Sequence, residues 1–311
     1  MQTSCIWSRR RRGWAFVFIR LLVALIFSAT PWFGGRAIAQ EKPVILSSFT
    51  VIHDWVQVIG GKGFESKTII PTRSEAHGFQ LSPRHAKDLR RATLIVAMSP
   101  DFEPWLAAWG KANQRTDSIL WLHSEATAHA SHDCADIPHA WTDPIEVKKM
   151  VKVLAERLNK IGGGLDTQIA YEQYLKEINS VDKELSQLFR EIPLGKRAFI
   201  SHHANLGHFA KHFGLTVAGT IIANGSGESA DPSARHFSEL LALIRKQKIR
   251  IIVTDEGQNT AFARRLTEDA GLPPPLSLSF EYLEPPGQPG DTWTSMMLTN
   301  GKRLHQALLN K

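Results

Sequence analysis

Short runs of apolar residues alternate along the chain with longer segments in which apolar residues recur every three or four positions. The short runs predict buried β-strands, because the strands of a parallel sheet are covered on both faces. They lie at 44–49, 67–70, 94–98, 119–122, 197–201, 215–222 and 249–254. The alternation of such strands with helical segments is typical of an α/β fold, with mainly parallel sheets flanked by helices.

Three pairs of a short polar residue and a proline predict where helices begin, because the polar side chain caps the free N–H groups of the first turn. The pairs are Ser82-Pro83, Asp143-Pro144 and Asp231-Pro232. Glu146 stands three residues after Asp143, which is the position of a capping-box partner. A last helix is predicted at 293–309, after a loop rich in Gly and Pro at 285–290.

The middle of the chain lacks a strand pattern and instead carries one long apolar stripe at helical spacing. The stripe consists of Tyr171, Leu175, Ile178, Val181, Leu185 and Leu188. We therefore predict a connecting helix at 164–193 that joins two α/β lobes, an N-terminal one at 40–163 and a C-terminal one at 194–311. An ordinary surface helix within one larger domain is the alternative.

The first 39 residues have the features of a cleavable signal peptide. Four arginines at 9–12 precede an apolar stretch at 14–27, and Ala37-Ile38-Ala39 forms a small-residue cleavage site. We expect cleavage before Gln40 and export to the periplasm. An uncleaved anchor is the alternative, although the apolar stretch is short for a membrane span. Because Gln40 rather than a cysteine follows the site, the exported protein is expected to be soluble and free of a lipid anchor.

The basic excess of the chain belongs to this leader. The whole sequence has 37 basic and 30 acidic residues, but positions 1–39 contain six Arg and no acidic residue, which leaves 31 basic against 30 acidic residues. A nearly neutral remainder argues against a nucleic-acid partner. Beyond the leader Cys134 is the only cysteine, so an internal disulfide is excluded.

Histidine and carboxylate residues follow several of the predicted strands. In open α/β sheets ligands bind beyond the carboxyl ends of the strands, and imidazole and carboxylate are groups that zinc accepts. The residues in this position are His77, His139, His203 and Asp255. Two come from each half of the chain, so we expect a metal site between the lobes.

Four segments resemble the ligand motifs of the zinc- and manganese-type solute-binding receptors of ABC transporters. They are Ala-His-Gly-Phe-Gln-Leu-Ser-Pro at 76–83, Pro-His-Ala-Trp-Thr-Asp-Pro at 138–144, Ser-His-His-Ala-Asn-Leu-Gly-His-Phe at 201–209, and Thr-Asp at 254–255. The resemblance covers about 44–309 and is strongest to the zinc-binding members. It implies that His77, His139, His203 and Asp255 are the metal ligands.

Two of these four positions have an adjacent alternative, since His202 precedes His203 and Glu256 follows Asp255. The segment 123–136 is also open to two interpretations. It contains His123, His129 and His132, and it either collects metal for the inner site or is an ordinary solvated loop.

Three imidazoles and one carboxylate suit Zn²⁺, which accepts tetrahedral geometry, whereas Mn²⁺ prefers more oxygen ligands. We therefore predict a monomeric periplasmic receptor, not an enzyme, that binds Zn²⁺ and delivers it to the membrane permease of an ABC importer. A periplasmic metallochaperone is a candidate second partner. A manganese or iron receptor of the same type is the first alternative. An exported zinc-dependent hydrolase is the second, but four protein ligands would leave no position for the attacking water.

Overall fold

Parallel strands and helices alternate from residue 44 onward, which confirms the predicted α/β class. The computed structural model describes residues 41–74, 76, 78–127, 139–222 and 232–310, apart from the side chains of Glu125 and Thr127. The strands are β1 Val44–Ser47, β2 Glu65–Thr68, β3 Leu94–Ala97, β4 Ile119–Trp121, β5 Ala198–Ser201, β6 Thr216–Thr220, β7 Val253–Asp255 and β8 Leu276–Leu278. The helices are α1 Thr50–Gly60, α2 Pro83–Arg91, α3 Pro104–Ala112, α4 Leu122–Thr127, α5 Pro144–Lys160, α6 Gly164–Arg190, α7 Gly207–Phe213, α8 Ala234–Gln247, α9 Ala261–Ala270 and α10 Trp293–Leu309.

The first four strands form one sheet in the order β2-β1-β3-β4, and every neighbouring pair in it is parallel. In the second half β5 pairs with β6 and β7 with β8, again in parallel. A parallel bridge between Ile200 and Ile252 joins these two pairs. Parallel pairing brings the carboxyl ends of neighbouring strands to one edge, and the loops at that edge carry the candidate site.

Two helix starts are as predicted. The hydroxyl of Ser82 accepts a hydrogen bond from the N–H of His85, and the carboxylate of Asp143 accepts one from the N–H of Ile145. The expected capping box at Asp143 does not form, because the carboxylate of Glu146 bonds to the ammonium of Lys149 at 2.7 Å instead.

The third helix start differs from the prediction. Helix α8 begins at Ala234, and its N-cap is Ser233, whose hydroxyl accepts from the N–H of His236. The Asp231-Pro232 pair therefore does not cap the helix directly, and Asp231 lies outside the described residues. A serine one turn ahead of the apolar stripe offers the same oxygen acceptor as an aspartate, so the two positions compete as caps.

The long helix predicted in the middle of the chain is confirmed as α6, which has 27 residues. Its buried face is rotated slightly from the predicted stripe. It consists of Thr167, Tyr174, Ile178, Val181, Leu185 and Phe189, while Tyr171, Leu175 and Leu188 pack beside it and stay partly exposed. The boundaries of the two lobes at 163 and 194 remain a prediction, and the residues from Lys42 onward form one compact unit.

The main core draws residues from both halves of the chain. Trp141 and Trp293 are fully buried in it, and the indole N–H of Trp293 donates to the carbonyl of Trp141 at 2.8 Å. The backbone N–H of Trp293 donates to the carboxylate of Asp54 at 2.9 Å, which ties α10 to α1. Burial raises the pKa of Asp54 to about 6, against the lowering effect of this bond.

Within the described ranges, no helix combines the length and the apolar character that a membrane span needs.

A histidine connects α7 to α6 and to the start of α5. His212 of α7 lies with Nδ1 3.1 Å from the carboxylate of Asp143 and with Nε2 2.7 Å from that of Asp182 on α6. Burial lowers the pKa of His212, but the two carboxylates outweigh it and raise the pKa above its usual 6.5. The ammonium of Lys148 also lies at this junction, 3.6 Å from the carboxylate of Asp182.

Replacing His212 by glutamine should therefore cost more stability in acid than in base. A raised pKa in the folded state gives stability that is complete below about pH 6.5 and is lost as the pH rises through the folded value. Because the junction is partly open to solvent, the difference should be on the order of 1 kcal/mol. Urea unfolding of the metal-free protein at pH 6 and pH 9 measures it. Equal losses at both pH values would contradict the charged bridge.

Candidate metal centre

His139 is held at the start of a short turn by its own backbone. The N–H and the hydroxyl of Thr142 both bond to the carbonyl of His139, at 3.2 and 2.9 Å. The imidazole is only 3% exposed and packs against the rings of Phe102 and Trp141. These contacts restrict the ring to one orientation, with Nε2 directed toward the second half of the chain.

His203 follows β5 and lies beside Asp255, the last residue of β7. The Nδ1 of His203 is 2.7 Å from Oδ2 of Asp255, and the Nδ1 of His202 is 3.1 Å from the same oxygen. The hydroxyl of Ser201 donates to the carbonyl of His203 and fixes the turn that carries it. The Asp255 carboxylate thus contacts the Nδ1 side of both imidazoles.

Asp255 is buried, and burial alone would raise the pKa of its carboxyl. Hydrogen bonds from His202 and His203, together with positive charge on their rings, hold that pKa well below its usual range. An ionised carboxylate only accepts hydrogen bonds, so the Nδ1 of His203 carries the proton and donates it. When the ring is neutral, its lone pair lies on Nε2, as in ligand histidines whose other nitrogen is held by a carboxylate.

A second carboxylate, which sequence reasoning did not select, stands on the Nε2 side. Oε1 of Glu281 is 3.4 Å from Nε2 of His139 and 3.6 Å from Nε2 of His203. One ligand atom from each of these three residues lies within 4.8 Å of the others. His202, His203 and Asp255 form a second group that meets the same spacing.

The spacing around Glu281 fits a metal ion better than a hydrogen bond. Nitrogen–oxygen hydrogen bonds in proteins measure about 2.7–3.2 Å. A zinc ion about 2.0–2.1 Å from each donor holds tetrahedral donors roughly 3.3 Å apart. The observed separations of 3.4 and 3.6 Å are close to that value.

Two further residues hold Glu281 in place. The side-chain amide of Asn205 is fully buried and donates both to Oδ1 of Asp255 at 2.7 Å and to Oε1 of Glu281 at 3.0 Å. The indole of Trp141 donates to the carbonyl of Phe280 at 2.7 Å. Asn205 lies in the third sequence motif, but only the structure reveals that it links the two carboxylates.

The centre opens into a cavity of about 560 Å³. His203, Asp255 and Glu281 line one side of it, and Arg73 and Glu256 lie on its other parts. The lining contains apolar residues as well as charged groups of both signs.

The structure brings three of the four predicted ligand residues into one neighbourhood: His139, His203 and Asp255. His77 lies outside the described residues, as do the predicted signal peptide at 1–39 and the loop residues 128–138 with His129, His132 and Cys134. Asp255 as a direct ligand stays a prediction, and so does the choice of His203 over His202. Glu256 follows Asp255 and is exposed.

A model of a protein family described as "ZnuA: Zinc-uptake complex component A periplasmic" matches residues 45–307. The chain belongs to this family. The match spans both halves of the chain and includes every residue of the centre described above.

Relatives of this ZnuA-family chain carry metal-related names. A zinc-binding lipoprotein, AdcA, from Streptococcus pneumoniae strain R6 is 23% identical over 288 residues, which cover 86% of this chain and 56% of that protein. A putative metal-binding protein from Treponema pallidum is 24% identical over 258 residues, covering 76% of this chain and 79% of that protein. The chain thus spans about half the length of the AdcA relatives that it matches.

Solved structures confirm the fold. The periplasmic zinc-binding protein TroA from Treponema pallidum superimposes with a TM-score of 0.76 at 19% identity, over 86% of this chain and 100% of that one. A manganese-bound periplasmic metal-binding protein from Candidatus Liberibacter asiaticus gives a TM-score of 0.74 at 17% identity, with the same coverage. At these identities the likeness concerns the fold of this ZnuA-family chain alone.

Proposed function

We propose that this protein captures a zinc ion in the periplasm and passes it to the membrane permease of an ABC importer. The observation that carries the proposal is the convergence of Nε2 of His139 and Nε2 of His203 on Oε1 of Glu281, at 3.4 and 3.6 Å. Membership of the ZnuA family supports the transport role and the periplasmic location.

The ligand set that we propose is His77, His139, His203 and Glu281. The sequence motif at 76–83 supports His77, and the contacts above support the other three. We assign Asp255 the role of holding His203, because its carboxylate bonds to Nδ1 and leaves Nε2 for the metal. The alternative in which Asp255 ligates directly uses the group of His202, His203 and Asp255.

This set favours zinc among the divalent ions. Three imidazoles and one carboxylate match the tetrahedral preference of Zn²⁺, while Mn²⁺ favours sites with more oxygen ligands. Four protein ligands also complete the coordination sphere, so no water is left for a hydrolytic reaction, and we infer a receptor rather than an enzyme. The name of the AdcA relative, a zinc-binding lipoprotein, agrees with this choice.

The proposal is tested by native mass spectrometry and metal analysis of protein purified from the periplasm. We expect about one zinc ion per chain, removable only by a strong chelator, as a closed four-ligand site predicts. A tenfold excess of Mn²⁺ should leave the zinc in place. Protein that carries no divalent ion, or that exchanges its zinc for manganese, would refute the assignment.

A further inference from the structure

The segment just ahead of the first sequence motif is fastened to the second half of the chain. The hydroxyl of Thr72 donates to the carbonyl of Leu283. Nε and Nη2 of Arg73 donate to Oε2 of Glu284 at 3.0 and 2.7 Å. The N–H of Leu283 in turn donates to the hydroxyl of Thr50 at 2.8 Å. Three hydrogen bonds thus join two segments that are 211 positions apart in sequence, and the fourth ties Leu283 to the start of α1.

The two partners of the ion pair have different surroundings. The guanidinium of Arg73 is 62% exposed, whereas the carboxylate of Glu284 is 11% exposed. A carboxylate shielded on most sides interacts more strongly with its partner than one in open water. The N–H of Glu284 bonds to the carbonyl of Gly290, so the carboxylate stands on a fixed turn and Arg73 covers it from outside.

The backbone of Arg73 supports the same conclusion. Its φ angle is +57°, a left-handed conformation that residues with a Cβ rarely adopt. Such a conformation persists where surrounding contacts hold it. Here the hydrogen bonds of Thr72 to Leu283 and of Arg73 to Glu284 supply that restraint.

Arg73 also lines the cavity that contains His203 and Glu281. Glu281 lies three residues before Glu284, and the motif at 76–83 begins three residues after Arg73. The ion pair therefore connects the two chain segments that flank the proposed ligands at the entrance to the centre. Arg73 also lines a neighbouring cavity whose wall contains Glu284, so the ion pair lies where the two cavities adjoin.

We propose that Arg73 and Glu284 form a latch across the mouth of the metal chamber, which slows the exchange of bound zinc with solvent. The inference rests on the proposed function and adds a kinetic role to two residues outside the ligand set. Opening the mouth requires the separation of both hydrogen-bonded segments, so the latch acts on the rate of release more than on the ligands themselves.

The test measures zinc release from the full protein by stopped-flow mixing with excess chelator. Arg73→Gln and Glu284→Gln should each accelerate release roughly fivefold, and the double variant should release zinc no faster than either single one, because both changes break the same contact. The matched control is Arg265→Gln, which breaks the exposed pair with Asp269 on α9 and lines no part of the chamber. Its release rate should equal that of the unaltered protein.

The outcomes separate the latch from its alternatives. If Arg73 acted only as a charge that repels cations, Arg73→Gln would slow release and Glu284→Gln would hasten it, and this opposite pattern would overturn the latch. Unchanged release rates in all variants would also overturn the latch, but they would leave the proposed zinc binding intact. If the unaltered protein holds no zinc, the proposed function fails as well. Unfolding of the metal-free variants, measured in parallel, shows whether a faster release reflects general loss of structure.

Discussion

Replacing His139 by alanine should lower the zinc affinity of the protein by roughly 10²–10³-fold. Structural zinc sites with four ligands bind with about 10–16 kcal/mol, so one ligand accounts for about 2.5–4 kcal/mol. His139 is buried beside Phe102 and Trp141, and its Nε2 lies 3.4 Å from Glu281. Because this position is buried, a water molecule would have little access to it and would be a poor substitute for the lost nitrogen ligand.

Competition against a chelator of known affinity measures this loss. His139→Phe is the companion variant, because a phenyl ring retains the contacts with Phe102 and Trp141 but offers no ligand atom. Both variants should show the same loss of zinc affinity. The alanine variant should also be less stable, because it leaves a cavity beside Phe102 and Trp141. His236→Ala is the control, since that ring bonds to the carbonyl of Thr220. Retention of full affinity in the phenylalanine variant would remove His139 from the site.

The two carboxylates of the centre should respond differently to neutralisation. Glu281→Gln should lower zinc affinity by roughly 10²–10³-fold, as expected for a direct ligand. Asp255→Asn should cost roughly 10–100-fold, which is typical of a group that only orients a ligand histidine. Asp255 keeps the Nδ1 proton of His203 in place through a contact of 2.7 Å, while Glu281 faces the Nε2 atoms.

Cobalt substitution distinguishes a ligand from a supporting residue independently of affinity. The visible spectrum of the Co²⁺ protein depends on the donor atoms, so Glu281→Gln should change its shape and Asp255→Asn should leave it largely intact. The reverse order of effects, in affinity and in spectrum, would assign the ligand role to Asp255, as the sequence motifs suggest.

Most strands and helices could be predicted because their signals are local. Buried parallel strands appear as short apolar runs, and the starts of α2 and α5 follow from the capping chemistry of Ser82 and Asp143. The predictions were wrong where tertiary packing, rather than the local sequence, determines which residues are buried. The buried face of α6 includes Tyr174 and Phe189, which lie one position away from residues of the predicted stripe, because neighbouring helices determine which side of a broad apolar surface is covered.

Glu281 was missed because the strand before it was missed. Strand β8 has only three residues, Leu276–Leu278, and it follows three consecutive prolines at 273–275, which favour a loop assignment. Once β8 is known, Glu281 occupies the same kind of position as His203, just beyond the carboxyl end of a parallel strand. Asp255 also follows a predicted strand, so the sequence alone selected it. No local sequence pattern, however, reveals that its carboxylate contacts Nδ1 of His203 rather than Nε2.

Trp141 has a consequence for how the protein can be studied. Its indole touches the ring of His139, with centroids 4.9 Å apart, and its N–H is bonded to the backbone beside Glu281. One indole thus contacts both flanks of the centre. We therefore expect metal binding to change the emission of this tryptophan, which is one of nine in the chain.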